Sequence, residues 1–374
     1  MDALPLNGPH PQDLPAPASE IFRRRVRAHA LLETCEDVNA ERRAEIAREI
    51  LMLGIEALPA LTLAAAGRKE NAAAMARSLV RLLMPDEIGR QIHMGLMQKK
   101  RDYPVEYGAV LLSRLPYPNL PVQRVLTDID ALAGKAREFI YAELEISGED
   151  ARAVAAERSI EVLQKLGQFW REEGFHGNVD NYFNDRNSYL PDVLERRTGL
   201  PIALSVLFLA LARRLHLNAD GVGMPGHFIV RVGIPAKGKK EQFVLIDPFN
   251  EARPLNIDAC KYFVEAIGLP FIPDEHLKAT PTRDIIARMC SNLLAVFDHQ
   301  KKTLDAERIA TVLVHLGPGD PVPLLIRAER RLRRGERRGA RIDFQNAKRL
   351  DPSGPVGRTA EELLRRMQHE NPFQ

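Results

Sequence analysis

The sequence is poor in cysteine, and its three thiols, Cys35, Cys260 and Cys290, lie far apart with no Cys-x-x-Cys pair. This spacing excludes a zinc finger and a disulfide framework of the kind that stabilises small secreted domains. An odd, sparse set of thiols is typical of proteins from a reducing compartment. His176 and His216 show no ligand spacing either, so we expect no metal and no other cofactor.

A strong charge imbalance and a long apolar segment are also absent. The net charge of the 374 residues is +3, too near zero to indicate a nucleic-acid or membrane partner. No apolar run reaches the roughly 20 residues that span a bilayer. The segment 1–19 is rich in proline and lacks a basic start and an apolar stretch, so it predicts a disordered tail and not a signal peptide. Together these features predict a cytoplasmic protein and argue against membrane and nucleic-acid binding.

One apolar stretch organises the rest of the chain. Between Ile202 and Ala212 no residue is charged, and Ser205 is the only polar residue. A helix that is apolar on every side must be enclosed by its own domain. Pro201 suits the first helical position, where a missing N–H has no cost. We therefore predict a buried central helix that packs on an antiparallel sheet formed within 221–249.

Both flanks of this mixed region, which spans 105–275, are predicted to be helical. Residues 20–104 show helical spacing throughout, and one hairpin there resembles a HEAT unit. Residues 276–374 are helical again and contain one countable tetratricopeptide-like pattern. The positions that keep the spacing of its second helix and closing proline are Ala340, Phe344, Ala347 and Pro352.

Two residues of the predicted sheet have the chemistry of a site, His227 and Asp247. A hairpin centred at Lys237 places them directly opposite each other, with Cβ atoms about 5 Å apart. A carboxylate in that position holds an imidazole in one tautomer and stabilises its protonated form. The alternative is a structural pair, in which the histidine is hydrogen-bonded at a strand start and the aspartate caps the turn before Pro248.

A nucleophile for this pair is not evident. A thiolate stabilised by the dipole at the start of the central helix would complete a Cys-His-Asp set, but Leu200, Pro201 and Ile202 stand there. Ser205, one turn further in, is the candidate hydroxyl, although a serine so placed more often bonds to the carbonyl four residues earlier. We therefore expect no chemistry that depends on cysteine.

The loop before the central helix is polar and aromatic. Its side chains can either line a cleft or bond the local backbone, and the sequence leaves both alternatives open. The candidate substrate-binding residues are Asn178, Tyr182, Asn187 and Ser188 of this loop, together with Gly226 beside His227.

A basic run follows from residue 327 to residue 349. Spacings of four and three place Arg327, Arg331 and Arg334 on one helix face, where apolar packing cannot be their purpose. We predict that this face contacts a polypeptide partner, with simple solvation as the alternative. The run lacks the interleaved aromatic residues that base stacking requires.

Several motifs, in this order along the chain, resemble those of one known family. They are Gly174-Phe-His-Gly-Asn178, the run from Asn187 to Ser205, Pro225-Gly-His-Phe228 and Ile246-Asp-Pro-Phe249. Together they resemble the SirB-type transglutaminase-like proteins, which combine a transglutaminase-like core with carboxy-terminal tetratricopeptide repeats. The resemblance covers roughly residues 117–352.

The resemblance implies an α+β, predominantly helical fold whose core, at 105–275, is a central helix on an antiparallel sheet as in papain. His227 and Asp247 match the histidine and aspartate of the family. Ordinary transglutaminase-like enzymes have cysteine where this chain has Pro201-Ile202, and usually tryptophan where it has Phe228. The SirB-type branch is similar to this chain in lacking the thiol, and its name implies a role in bacterial gene regulation.

Two functions are compatible with these features. One is an interaction protein that binds a polypeptide without turnover. The other is a hydrolase or acyltransferase that uses His227 and Asp247 with Ser205 or an activated water. The two differ in whether a hydroxyl or thiol lies within hydrogen-bond reach, about 3 Å, of the His227 ring.

Overall fold

A computed structural model describes residues 18–98, 103–147, 150–234 and 242–370. Within these ranges the fold is α+β and predominantly helical, as predicted. The chain forms two compact units, Met1–Glu87 and Ile88–Gln374. The tail predicted at 1–19 lies outside the described residues except for positions 18 and 19. No helix in the described part of the chain is long and apolar enough to cross a membrane.

The first unit is built from short helices joined by tight turns. Asn39 begins the second helix, and its side chain accepts a hydrogen bond from the Arg42 N–H at 2.9 Å. Gly54 ends this helix with φ 68°, a conformation that glycine adopts without strain. The assignment to a HEAT unit stays a prediction. The helices are α1 (Ala18–Glu33), α2 (Ala40–Leu53), α3 (Leu58–Ala65) and α4 (Glu70–Met97), which continues beyond the unit.

The second unit is organised around the predicted central helix, α10. The helices that lead to it are α5 (Val105–Leu112), α6 (Val122–Glu143), α7 (Ala151–Glu157), α8 (Ser159–Glu172), α9 (Leu190–Arg196) and α10 itself (Pro201–Arg214). Every residue of α10 from Pro201 to Ala212 is buried. Burial of each large aliphatic or aromatic side chain contributes about 1.5–3 kcal/mol, so α10 supplies much of the core. Its last turn ends in Arg214, which pairs with Glu106 at 2.7 Å.

An antiparallel sheet packs against α10, as predicted. Its strands, in spatial as in chain order, are β3 (Ala219–Val222), β4 (Ile229–Ile234), β5 (Gln242–Asp247) and β6 (Arg253–Leu255); β1 (His176–Gly177) and β2 (Thr198–Gly199) form a separate parallel pair.

The predicted register of the β4–β5 hairpin is wrong by two residues. Val230 lies opposite Ile246, so Ile229, and not His227, is the residue across from Asp247. The centre of the hairpin falls at position 238, inside the segment 235–241 that lies outside the described residues. Side chains of a strand alternate between the two faces of the sheet. A register shift of two residues therefore leaves His227 on the same face of the sheet as Asp247, as predicted.

The remainder of the unit is helical. Three positions of the predicted tetratricopeptide pattern, Ala340, Phe344 and Ala347, are buried in one apolar cluster of the last three helices. The assignment of this helical hairpin to that repeat class stays a prediction. The helices are α11 (Ile257–Glu265), α12 (Pro273–His276), α13 (Thr282–His299), α14 (Thr303–Leu316), α15 (Pro321–Arg333), α16 (Arg337–Leu350) and α17 (Pro355–Glu370).

The three arginines predicted to contact a partner form ion pairs within the protein. Arg327 donates to both oxygens of Asp343, at 2.9 and 2.8 Å. Arg331 bridges Asp343 at 2.8 Å and Glu307 at 3.1 Å, and Arg334 also binds Glu307. The two carboxylates are buried on the neighbouring helices α16 and α14, where an unpaired charge is costly. These ion pairs give the three arginines a structural role that neither partner binding nor simple solvation anticipated, and partner binding by them stays a prediction.

We expect Asp343→Ala to lower the free energy of unfolding by about 2–4 kcal/mol, because two partly buried arginines lose a shared carboxylate. Urea denaturation followed by circular dichroism measures the change. The matched control is Glu362→Ala, which removes an exposed pair with Arg366 on α17 and should cost less than about 0.5 kcal/mol. Equal effects of the two substitutions would show that the network does not stabilise the helices.

Candidate functional site

The His227 and Asp247 side chains meet at one end of the antiparallel sheet. His227 Nε2 lies 2.8 Å from Asp247 Oδ2. His227 is 8 % exposed and Asp247 is fully buried. Given the observed register, the contact runs diagonally from the turn before β4 to the last residue of β5. Gly226 precedes the histidine with φ 79°, so this predicted substrate-binding residue has a conformational role in the turn.

The Asp247 carboxylate is held by four hydrogen bonds. Its Oδ1 accepts from the backbone N–H groups of Phe249 at 3.1 Å and Asn250 at 3.3 Å. Its Oδ2 accepts from Asn250 Nδ2 at 2.6 Å as well as from His227. Since an ionised carboxylate can only accept, Nε2 of His227 carries the proton. In the neutral ring, Nδ1 is then left as an acceptor.

Aromatic rings fix the orientation of the His227 imidazole. Phe263 of α11 stacks on it with ring centroids 4.8 Å apart, and Phe249 meets it edge-on at 6.0 Å. Behind the pair, Trp170 Nε1 donates to the Pro248 carbonyl at 3.1 Å and so fixes the backbone that follows Asp247. The imidazole therefore has a defined plane and a defined tautomer, the conditions for a directional proton acceptor.

Ser205, the candidate nucleophile, is engaged elsewhere. Its buried hydroxyl lies 3.2 Å from the Phe228 carbonyl and donates to it. The partner is not the carbonyl four residues earlier in α10, as the structural alternative expected. The bond instead connects the central helix to the residue after His227. A hydroxyl oriented toward a carbonyl oxygen in this way does not point its proton at the imidazole.

Cys260 and Cys290 are buried. Cys260 packs in the apolar cluster of Ile229, Leu245 and Val264, and burial, together with the charge of Asp247, raises its pKa to about 11. Burial raises the pKa of Cys290 to about 12. Among the residues that the structure describes, the His227 ring forms a hydrogen bond with Asp247 alone. Those residues also include no cluster of three or more histidine, cysteine or acidic side chains able to hold a metal ion.

The asparagines of the polar loop bond one another and the local backbone. Asn178 Nδ2 donates to Asn187 Oδ1 at 2.9 Å. Asn187 Nδ2 in turn donates to the carbonyls of Asn181 at 2.8 Å and Tyr182 at 3.2 Å. The observed contacts are those of the structural alternative, while substrate binding by these residues stays a prediction. Ser188 is buried, and its Oγ has no hydrogen-bond partner in the part of the chain that the structure describes.

Arg288 is a residue of this site that the sequence did not indicate. It extends from α13, and its Nη2 donates to the carbonyls of Met224 at 2.7 Å and His227 at 2.9 Å. Its guanidinium lies 5.6 Å from the centre of the Phe228 ring. The residue is 61 positions from His227 in an ordinary amphipathic helix, so no spacing or motif links the two.

A separate groove lies away from the His227–Asp247 pair. It has a volume of about 490 Å³ and is lined at the carboxyl end of α10 by Arg213 and His216, and by Arg152 of α7. Its lining residues include neither His227 nor Asp247. The groove and the histidine–aspartate pair are therefore separate features of this domain. The candidate site is identified by the geometry of the pair and not by the groove.

We expect iodoacetamide to leave Cys260 and Cys290 unmodified in the folded protein at pH 7.5. With a pKa of about 11, fewer than roughly one thiol in a thousand is ionised at that pH, and each unit of pH increase should raise the rate about tenfold. Mass spectrometry of peptides from folded and guanidinium-unfolded samples measures the modification. Rapid labelling of folded Cys260 would contradict the assignment and reopen a thiolate mechanism.

Comparisons with known proteins place this geometry in a family. Residues 123–291, which include α10, His227, Asp247 and Arg288, match the transglutaminase-like superfamily. No solved structure gave a significant match. The SirB-type assignment and the tetratricopeptide repeats have no support from these comparisons and stay predictions.

Similar proteins come from bacteria and from animals. A UPF0162 protein of Xylella fastidiosa (strain 9a5c) is 34 % identical over 256 residues, which are 67 % of this chain and 85 % of that protein. A UPF0162 protein of Pseudomonas aeruginosa is 30 % identical over 170 residues, 45 % of this chain and 59 % of the relative. F-box only protein 21 of Pongo abelii is 30 % identical over 159 residues, 40 % of this chain and 24 % of that protein. The chain therefore belongs to the UPF0162 family and carries a transglutaminase-like domain.

Proposed function

We propose that this protein is an interaction protein that binds polypeptide segments at the surface around His227 and Asp247 without transferring or hydrolysing them. The observation that supports this function most directly is a complete, rigid histidine–aspartate pair whose ring has no hydroxyl or thiol partner among the described residues. Covalent catalysis requires that partner within hydrogen-bond reach. In this proposal the transglutaminase-like helix, sheet and histidine–aspartate pair form a binding site and not a catalytic one.

The start of α10 supports the same proposal. Acyl transfer needs N–H donors aimed at the developing oxyanion, and the first turn of a helix often supplies them. Here Pro201 has no N–H, and the Leu200 N–H is already donated to the Asn187 carbonyl at 2.9 Å. The start of α10 therefore has no nucleophilic side chain. Two of the backbone N–H groups that could bind an oxyanion there are also missing or already used.

Exposed apolar side chains next to the pair suit a polypeptide ligand. Tyr262 and Ile267 are 71 % and 52 % exposed at the end of α11, the helix whose Phe263 stacks on His227. Ile267 also adjoins the turn that carries the histidine, since a Cβ at Gly226 would lie 3.5 Å from its Cδ1. Clustered apolar surface beside a buried polar pair is typical of a binding site.

A second function is favoured by one observation. With Nε2 bonded to Asp247, the Nδ1 of His227 is an acceptor that no described residue occupies. An acceptor in that state can take a proton from water, so a hydrolase with a water nucleophile is the alternative. The hydrolase is tested by looking for cleaved peptide, which a protein that only binds peptides does not produce.

We expect immobilised protein to retain members of a pooled, N-acetylated hexapeptide library and to release them with unchanged mass. His227→Gln should weaken retention about tenfold while the melting temperature falls by only a few degrees, because one charge-assisted hydrogen bond contributes about 1–3 kcal/mol. His369→Gln, an exposed histidine on α17, is the matched control and should change neither quantity.

Mass spectrometry of the released peptides distinguishes the two functions. Shortened or cross-linked peptides that disappear in His227→Gln would replace the proposal by the hydrolase or acyltransferase. If His227→Gln retains the peptides as well as the unsubstituted protein and only its melting temperature falls, the pair stabilises the end of the sheet and does not bind peptide.

A further inference from the structure

We propose that Arg288 binds a carboxylate group of the polypeptide ligand, with the hydroxyl of Tyr182 as a second donor. This inference rests on the proposed function, because it names the chemical group that the surface beside His227 recognises. Four features of the described residues support it: the free donors of Arg288, its unbalanced charge, the position of Tyr182 and the aromatic surroundings of the guanidinium.

Arg288 is anchored by one nitrogen and leaves the other two available. Its Nη2 is used by the Met224 and His227 carbonyls. Nε and Nη1 have no acceptor among the described residues, and neither belongs to the fully buried nitrogens that lack a partner. These two atoms are therefore in contact with solvent. The anchoring fixes where a ligand must approach, since it holds the guanidinium against the turn that carries the histidine.

The positive charge of Arg288 is not balanced by the protein. Several other partly buried arginines of this unit have a carboxylate partner, such as Arg214 with Glu106 and Arg327 with Asp343. No acidic side chain in the described ranges lies within 4 Å of Arg288. Burial lowers the pKa of this arginine, because it removes part of the hydration of the charge. An anion that binds there would reverse that effect.

Tyr182 of the polar loop is the candidate for a second donor. Burial raises the pKa of the Tyr182 phenol, and the neighbouring guanidinium opposes the rise. The side chain is 40 % exposed, and its hydroxyl has no hydrogen-bond partner among the described residues. A phenol O–H and a guanidinium N–H from two different segments are both donors suited to carboxylate oxygens.

The charge and the surroundings favour a carboxylate over a phosphate chain. Arg288 is a single cation packed over the Phe228 ring, whereas binding of nucleic acid relies on several cations that follow successive phosphates. A carboxylate carries one negative charge and matches this single site. In a polypeptide it comes from the chain terminus or from a glutamate or aspartate side chain.

Three pools of N-acetylated hexapeptides distinguish these sources. The first has free terminal carboxylates and no acidic side chains, the second is amidated and has none, and the third is amidated with one glutamate. Retention on immobilised protein is measured by mass spectrometry. We expect the first pool, the third pool or both to be retained at least tenfold more than the second, and the pattern identifies the carboxylate.

The carboxylate preference is the retention of the first or third pool divided by that of the second pool. In Arg288→Gln this ratio should fall to about one. Arg288→Lys should restore part of it, and this second variant controls for a folding defect in the first. Tyr182→Phe should reduce the preference severalfold. Arg365→Gln, an equal charge change at an exposed position of α17, should leave it intact. Equal retention of all three pools, or an unchanged preference in folded Arg288→Gln, would overturn the carboxylate site and leave peptide binding intact. Retention of none of the pools would overturn both proposals.

Discussion

A helix with apolar side chains on every face is stable in water only when its domain covers it completely, and α10 imposes this requirement on the second unit. The sheet of β3–β6 covers it on one side, and α5 and α6 cover it on others. The polar atom of Ser205 inside this helix must be hydrogen-bonded, and it finds the Phe228 carbonyl. That bond joins the core helix to the turn that bears His227, so the position of the site depends on core burial.

Burial of a carboxylate imposes a second requirement at the sheet end. Asp247 has no contact with solvent, and four donors compensate the loss of hydration. Three of these donors come from the two residues Phe249 and Asn250, which directly follow the turn at Pro248. The aspartate thus orders its own loop as well as the histidine, so the pair also has a structural role at the sheet end.

Features that depend on the local hydrophobic pattern could be predicted from the sequence. Features that depend on contacts between distant segments could not. The apolar run of α10 and the strands after it followed from hydrophobic pattern. The register of β4 and β5 did not, because nothing in the turn sequence at 235–241 fixes which residue is central. The ion pairs of the arginines in and after α15 were not predictable, because their partners, Glu307 and Asp343, lie on other helices. Arg288 had no signal, since its acceptors are backbone carbonyls 61 and 64 residues away.

The position of Trp170 has a spectroscopic consequence. It is the single tryptophan of the chain, it stacks on Phe175 with ring centroids 4.3 Å apart, and its indole N–H is bonded to the carbonyl of the residue after Asp247. Excitation at the red edge of the protein absorption band therefore selects one emitter, which is hydrogen-bonded to the backbone of the site. The native chain has its own optical probe of the loop behind the histidine–aspartate pair, without any label.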